Sequence, residues 1–205
     1  MLDIQIIEDP ATAVVALEPV RARILAGLSE PSSAAALSKR LGIARQKVNY
    51  HLRELEAHGL ARETSQRKWG GLTERLLVST AAAYVVSPAA MGPVAPDPDR
   101  SADRLSATYL IALAARMVRE VGALLRRSEE LEKRLATLAI DTEIRFRSPA
   151  ERAAFGSELT EAITRLAARY HDGSAPGGRS HRLVLVAHPL PHKPKDQKTE
   201  NKEPS

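Results

Sequence analysis

The chain has 205 residues, of which 43% are apolar, so it can bury a core as one large or two small domains. With 3% aromatics and no cysteine, that core is aliphatic and Ala-rich, and thiol redox sensing and Cys-ligated metal are excluded; the lack of cysteine also suits a reducing compartment. The net charge of +5 and pI near 9.7 permit an acidic polymer as partner without specifying one.

The chain opens on Met1-Leu2-Asp3, which lacks the basic stretch and apolar run of a signal peptide. The apolar stretch 81–95 is too short to span a bilayer and is broken by Pro88 and Pro93. A cytoplasmic location and no membrane partner are expected. The first regular pattern is Pro19 to Leu28, with Val20, Ile24, Leu25 and Leu28 at helical spacing. A second short helix, Ser33 to Leu41, places Ala36, Leu37 and Leu41 inward, and Gly42 supplies a turn.

The third helix is the most informative. With Val48 at zero and 100° per residue, Ala44, His51, Leu52 and Leu55 fall within about 60° and form a buried stripe. Gln46, Tyr50, Arg53 and Ala57 fall opposite, Lys47 and Asn49 flank them, and Arg45 stands at the amino-terminal entrance. A basic, amide-rich outer face on an apolar inner stripe suits a helix that enters the DNA major groove. There Asn and Gln can pair with adenine edges and Arg or Lys with guanine, while Tyr50 can meet a thymine methyl or a phosphate. The competing reading is a solvated face on an ordinary core helix. Charge distribution favours the first: residues 36–75 carry nine cations against four acids, and residues 1–35 two against five.

Gly59-Leu60 ends that helix, with Gly59 suited to a left-handed position. Leu60 to Gln66 and Leu72 to Thr80 read as strands around a turn at Lys68-Trp69-Gly70-Gly71. The hairpin carries Arg67, Lys68 and Arg75, cations suited to phosphate contact. The segments ALEPVRARILAGL, ALSKRLGI, KVNYHLRELEAHGL and RETSQRKWGGLTERLLVST resemble the ArsR-type winged-helix transcriptional regulators. The likeness is greatest to larger actinobacterial-type members with a second domain behind the reading head, and it covers about residues 12–80. The resemblance implies that residues 45–53 contact DNA, that His51 packs the helix and that the protein represses. Two features depart from it. Ala44 stands where Ser or Thr often caps the helix, a loss of about 1 kcal/mol. The Cys pairs or carboxylate–His sets of metal-sensing members are missing, so no metal and no cofactor is expected.

Ser87 to Arg100 holds four prolines and reads as a semi-stiff linker or an extended crossover. From Ala102 to Ile140, Leu110, Met117, Leu124, Leu131 and Leu138 recur every seven residues, and Ala107, Ala114, Val121, Ser128 and Leu135 fill the alternate seam. This matches a coiled-coil dimerisation helix, with packing inside the same chain as the alternative. Thr142 to Arg147 and Leu183 to Ala187 read as strands on either side of a helix that starts at the capping box Ser148-Pro149-Ala150-Glu151 and runs to about His171. Phe146, Phe155 and Tyr170 are candidate walls of an effector pocket, or simply core. Residues 189–205 read as a disordered tail.

The expected fold is mainly α with a small β content (α+β). Its parts are a winged helix-turn-helix at 1–86, a linker at 87–101, a long coiled-coil-like helix at 102–140, a strand–helix–strand unit at 141–188 and the tail. The expected function is sequence-specific binding of double-stranded DNA by a homodimeric regulator, most simply a repressor, under a small-molecule or other non-metal signal. The alternatives are an architectural DNA-binding protein without effector and an enzyme. The enzyme reading rests only on His171-Asp172, His181, His188 and His192, whose spacing fits no metal or triad template, so no catalytic residue is assigned. RNA is disfavoured because aromatic stacking platforms are scarce.

Overall fold

The computed structural model describes residues 1–69 and 72–191, so the hairpin turn at Gly70-Gly71, His192 and most of the tail lie outside the described residues. The chain divides into two units, 1–136 and 137–205. Helices dominate and the strands are few, an α+β protein.

The elements of the first unit follow from local chemistry. Strand β1 is Leu2–Ile7. Helices α1 (Pro10–Leu17) and α2 (Pro19–Ala26) each begin with proline after an acidic cap, Asp9 and Glu18, whose carboxylates accept the amides of Thr12 and Arg21. Helix α3 (Ala34–Leu41) is capped by Ser33 and stops at Gly42, which is left-handed at φ +68°. Helix α4 spans Arg45–Ala57. Its end is a full Schellman motif: Gly59 is left-handed at φ +65°, its amide donates to Glu56 O at 3.0 Å, and the Leu60 amide donates to Leu55 O at 2.8 Å. Leu55 and Leu60, both fully buried, make the apolar contact that goes with it.

Strands β2 (Ala61–Trp69) and β3 (Leu72–Ser79) form the antiparallel hairpin, with an irregularity between Glu63 and Ser65. Ser32 bridges to Leu77 and ties the loop before α3 to the hairpin root. The core joins Ile24, Leu25, Leu28, Leu37, Val48, Leu52, Leu55, Leu60 and Leu77, with Ile7 reaching it from β1.

Three expectations are corrected, and one pairing is new. Strand β4 (Ala81–Val86) follows the hairpin and pairs in parallel with β1, so residues 2–7 close the head. The segment 87–101 is not a free linker. It forms 3₁₀ turns at Pro88–Val94 and Pro98–Arg100 that belong to the same unit as helix α5, Ala107–Glu130. Arg116 of α5 pairs with Asp97 at 3.2 Å and Asp99 at 2.6 Å, and Arg119 donates to Pro96 O at 3.1 Å. The head therefore extends well beyond residue 86.

The long helix is also shorter than its heptads. It stops at Glu130, with Glu132 left-handed at φ +51° and the Lys133 amide donating to Ser128 O at 2.9 Å. Leu131 is the cap, and Leu135 and Leu138 fall outside the helix. Finally, residues 142–147 and 183–187 form no strand. The first alternates and the second is apolar on both faces, as strands are, but neither finds a partner strand among the described residues, and an unpaired strand leaves its backbone to water. The second unit is built around helix α6, Pro149–Tyr170, whose Ser148 cap accepts the Glu151 amide at 3.1 Å.

Gly59 tests the closure of α4. A Cβ there meets nothing within 4 Å, so Gly59→Ala carries only the left-handed backbone penalty. Chemical denaturation should show a loss of about 1–2 kcal/mol, against about 2–5 kcal/mol for Leu55→Ala in the packed core.

Candidate nucleic-acid interface

The inner stripe of α4 is Val48, His51, Leu52 and Leu55, all buried. Ala44, expected on that stripe, is the exposed cap residue instead, because the chain has not yet entered the helix there. With the stripe fixed, Arg45, Gln46, Lys47, Asn49, Tyr50 and Arg53 are all exposed. Tyr50 is 58% exposed although its ring meets the edge of His51 at 5.3 Å between centroids. These residues span two and a half turns of one helix as a continuous polar ridge, with side chains of the types that can bond base edges in a major groove.

The amino end of this ridge has a further property. Ala44 offers no side-chain cap, so the first amides of α4 have no side-chain acceptor there. Arg45 adds a cation at the positive end of the dipole. A backbone phosphate placed there would accept the free amides and offset the Arg45 charge together.

The hairpin supplies the flank. Arg67 and Lys68 are exposed on β2 near the tip, opposite Glu74 and Thr73 in the register. Arg75 has a different employment from the one expected. It pairs with Glu56 of α4 at 2.5 Å and with Glu63 of β2, and those carboxylates hold its guanidinium even more firmly protonated. Arg75 is thus a strut between the last turn of α4 and the hairpin root, which aims the wing relative to the helix. Sequence reasoning missed this because Glu56, Glu63 and Arg75 share no local period. Other head arginines also bond backbone carbonyls: Arg21 donates to Val15 O, and the exposed Arg23 and Arg40 donate to Leu41 O and Gly27 O.

His51 is buried at 6% exposure, and neither ring nitrogen has a partner among the described residues. Burial lowers its pKa from the ordinary 6.5, outweighing Glu18, which acts in the opposite direction. The ring is a neutral packing element under α4.

The expected effector pocket does not assemble. Phe146 and Phe155 meet at 5.4 Å between centroids. Tyr170 lies fifteen residues beyond Phe155 on α6, about 22 Å away along the axis, and is 73% exposed. His171, His181 and His188 are exposed. No group of three or more His, Cys, Asp or Glu side chains placed to hold a metal occurs among the described residues. No described helix is long and apolar enough to cross a membrane. A cavity of about 430 Å³ opens in the head instead, lined by Leu17, Ala22 and Leu25 on the helical side and by Ala83, Tyr84 and Val86 of β4.

Residues 16–64 match a family model described as a helix-turn-helix domain. No curated protein matches the chain. Among solved structures, the crystal structure of a MarR family transcription regulator is similar, with 17% identity, 79% of each chain covered and a TM-score of 0.28. The matched segment runs from α1 into β2, and the hairpin and β4 that follow complete a winged helix-turn-helix head.

Two measurements separate the roles. Asn49→Ala and Gln46→Ala should flatten base preference at single positions by about 1–3 kcal/mol. Lys68→Ala should weaken every duplex alike and reduce the salt slope by about 0.9. Identical behaviour of all three variants would contradict this docking. For His51, the unfolded chain binds a proton below about pH 6.5 that the folded head does not, so stability falls as pH drops through that value. Denaturation between about pH 7.5 and 5.5 should show this slope, and His51→Leu should flatten it.

Proposed function

We propose that the protein is a homodimeric, sequence-specific transcriptional regulator of the ArsR type, acting as a repressor under a non-metal signal. The observation that carries this reading is the α4 ridge, six exposed polar side chains on a helix whose opposite face is locked in the core. Core helices with a solvated face are common, but this one also carries an uncapped amino end and a cationic hairpin beside it. The three features together match base reading, phosphate anchoring and flank binding.

The dimer is supported by the two faces of α5. One is made of small residues: Ala112, Ala115 and Gly122 are buried, and a Cβ at Gly122 would lie 3.2 Å from Ile6 of β1. Arg126 pairs with Glu8 at 2.8 Å on the same side. The opposite face carries the heptad residues, and Met117, Val121 and Leu124 are between 43% and 49% exposed. The seam is thus not used up by packing within the chain, and a second copy would cover it. Two heads related by a two-fold axis would read an inverted repeat, and occupation of a promoter would repress it.

Selection from a random duplex pool should recover an inverted repeat, bound about a thousandfold or more tighter than unrelated duplex at matched salt. Salt-sensitive binding without an enriched sequence would overturn the regulator reading in favour of an architectural one. Met117→Glu with Leu124→Glu should convert the dimer to monomer by sedimentation and abolish preference for the paired half-sites over one.

A further inference from the structure

Helix α6 is 22 residues long and none of its residues is buried. Yet Phe155, Leu159, Ala162, Ile163, Leu166 and Tyr170 fall within about 60° of one line along it. Leu166 is 50% exposed and Tyr170 73%. A face of this kind needs a cover, and its charges indicate which. On one flank of the stripe, Glu151 and Glu158 lie in the first half of the helix and Arg165 and Arg169 in the second. The other flank carries the uncharged Gly156, Thr160 and Ala167, with Arg152 as its one cation, in the first turn at the edge of the stripe.

We infer that α6 pairs with α6 of a second copy, antiparallel, with the apolar stripes facing and Glu158 of each copy meeting Arg165 or Arg169 of the other. The orientation follows from symmetry. A two-fold axis perpendicular to two helices lays the same flank of each side by side and turns one end for end. The acidic half of the charged flank then meets the basic half, twice. A parallel pair would set the charged flank against the other one, where Arg152 could meet only Glu151, which Arg147 already holds, and Glu158, Arg165 and Arg169 would find no opposite charge. The pairings within one helix compete weakly. Glu161 and Arg165 are 3.5 Å apart with both side chains more than 70% exposed, and Glu151 is held by Arg147. Arg169 also stacks on the Tyr170 ring at 5.3 Å, which keeps its guanidinium beside the stripe.

Area supports the same partner. A 24-residue α5 is about 36 Å long and offers a stripe of about 360 Å². A stable dimer buries about 800 Å² per partner. The α6 stripe adds about 330 Å² and brings the total near that figure. This inference rests on the dimer proposed above, but assigns a second and separate interface to it.

The chain has no cysteine, so single cysteines report the pairing directly. Ala162→Cys sits near the two-fold axis of the antiparallel pair and should shift the full-length protein to a disulfide-linked dimer on mild oxidation. Gly156→Cys, where an added Cβ meets nothing within 4 Å, lies at the far end and should not cross-link to itself. It should cross-link to Tyr170→Cys when the two variants are mixed. Self-linking of Gly156→Cys would overturn the antiparallel pair. A protein that sediments as a dimer while none of these pairs links would overturn the α6 interface and leave the α5 dimer standing. A monomer by sedimentation would overturn both.

Discussion

A straight helix has one angular freedom, rotation about its axis, and in α4 that rotation is fixed by burial. Val48, His51, Leu52 and Leu55 turn into a core shared with α2, α3 and the hairpin root, and the Schellman closure at Gly59 stops the helix where Leu60 can join them. Every outward direction of α4 follows from that packing. Arg45, Gln46, Lys47, Asn49, Tyr50 and Arg53 need no partner of their own to be aimed, because the backbone that carries them cannot turn. Under the proposed docking, a loss of inner packing would blur base reading even where no outward residue of α4 is changed.

The wing depends on the same helix. Arg75 joins Glu56 in the last turn of α4 to Glu63 in β2, so the hairpin inherits its direction from the core through one bifurcated guanidinium. Behind the hairpin, β4 returns to pair with β1, and α5 lies on β1 through Gly122 and Ile6. The reading ridge, the wing and the exposed seam of α5 are thus parts of one packed unit. In a dimer built on that seam, the spacing between two α4 helices would be a property of the fold rather than of a flexible connection.

The sequence exposed the parts of this arrangement that have a short period or a local signature. The α4 stripe repeats every three or four residues, Gly42 and Gly59 mark their turns, and Ser148 opens α6. What it hid is non-local. Leu2–Ile7 and Ala81–Val86 pair in parallel across more than seventy residues, and neither strand contains a trace of the other. The Arg75 strut joins three elements with no common spacing. The heptads of α5 run past Glu130, but the left-handed backbone at Glu132 ends the helix against them. The alternation at 142–147 and the apolar run at 183–187 are real as patterns, and a pattern without a partner does not make a sheet. Phe146 and Phe155 meet because they flank a helix start, whereas Tyr170 was grouped with them by chemistry alone.

The central claim is that α4 reads DNA in the major groove, twice per complex. Methylation interference on the selected duplex tests it directly, because N7 of guanine lies in the major groove and N3 of adenine in the minor. Interference at N7 is expected in two windows about 10 base pairs apart, centre to centre, or a multiple of that. Interference confined to N3, or a single N7 window on a duplex that binds two chains, would contradict it.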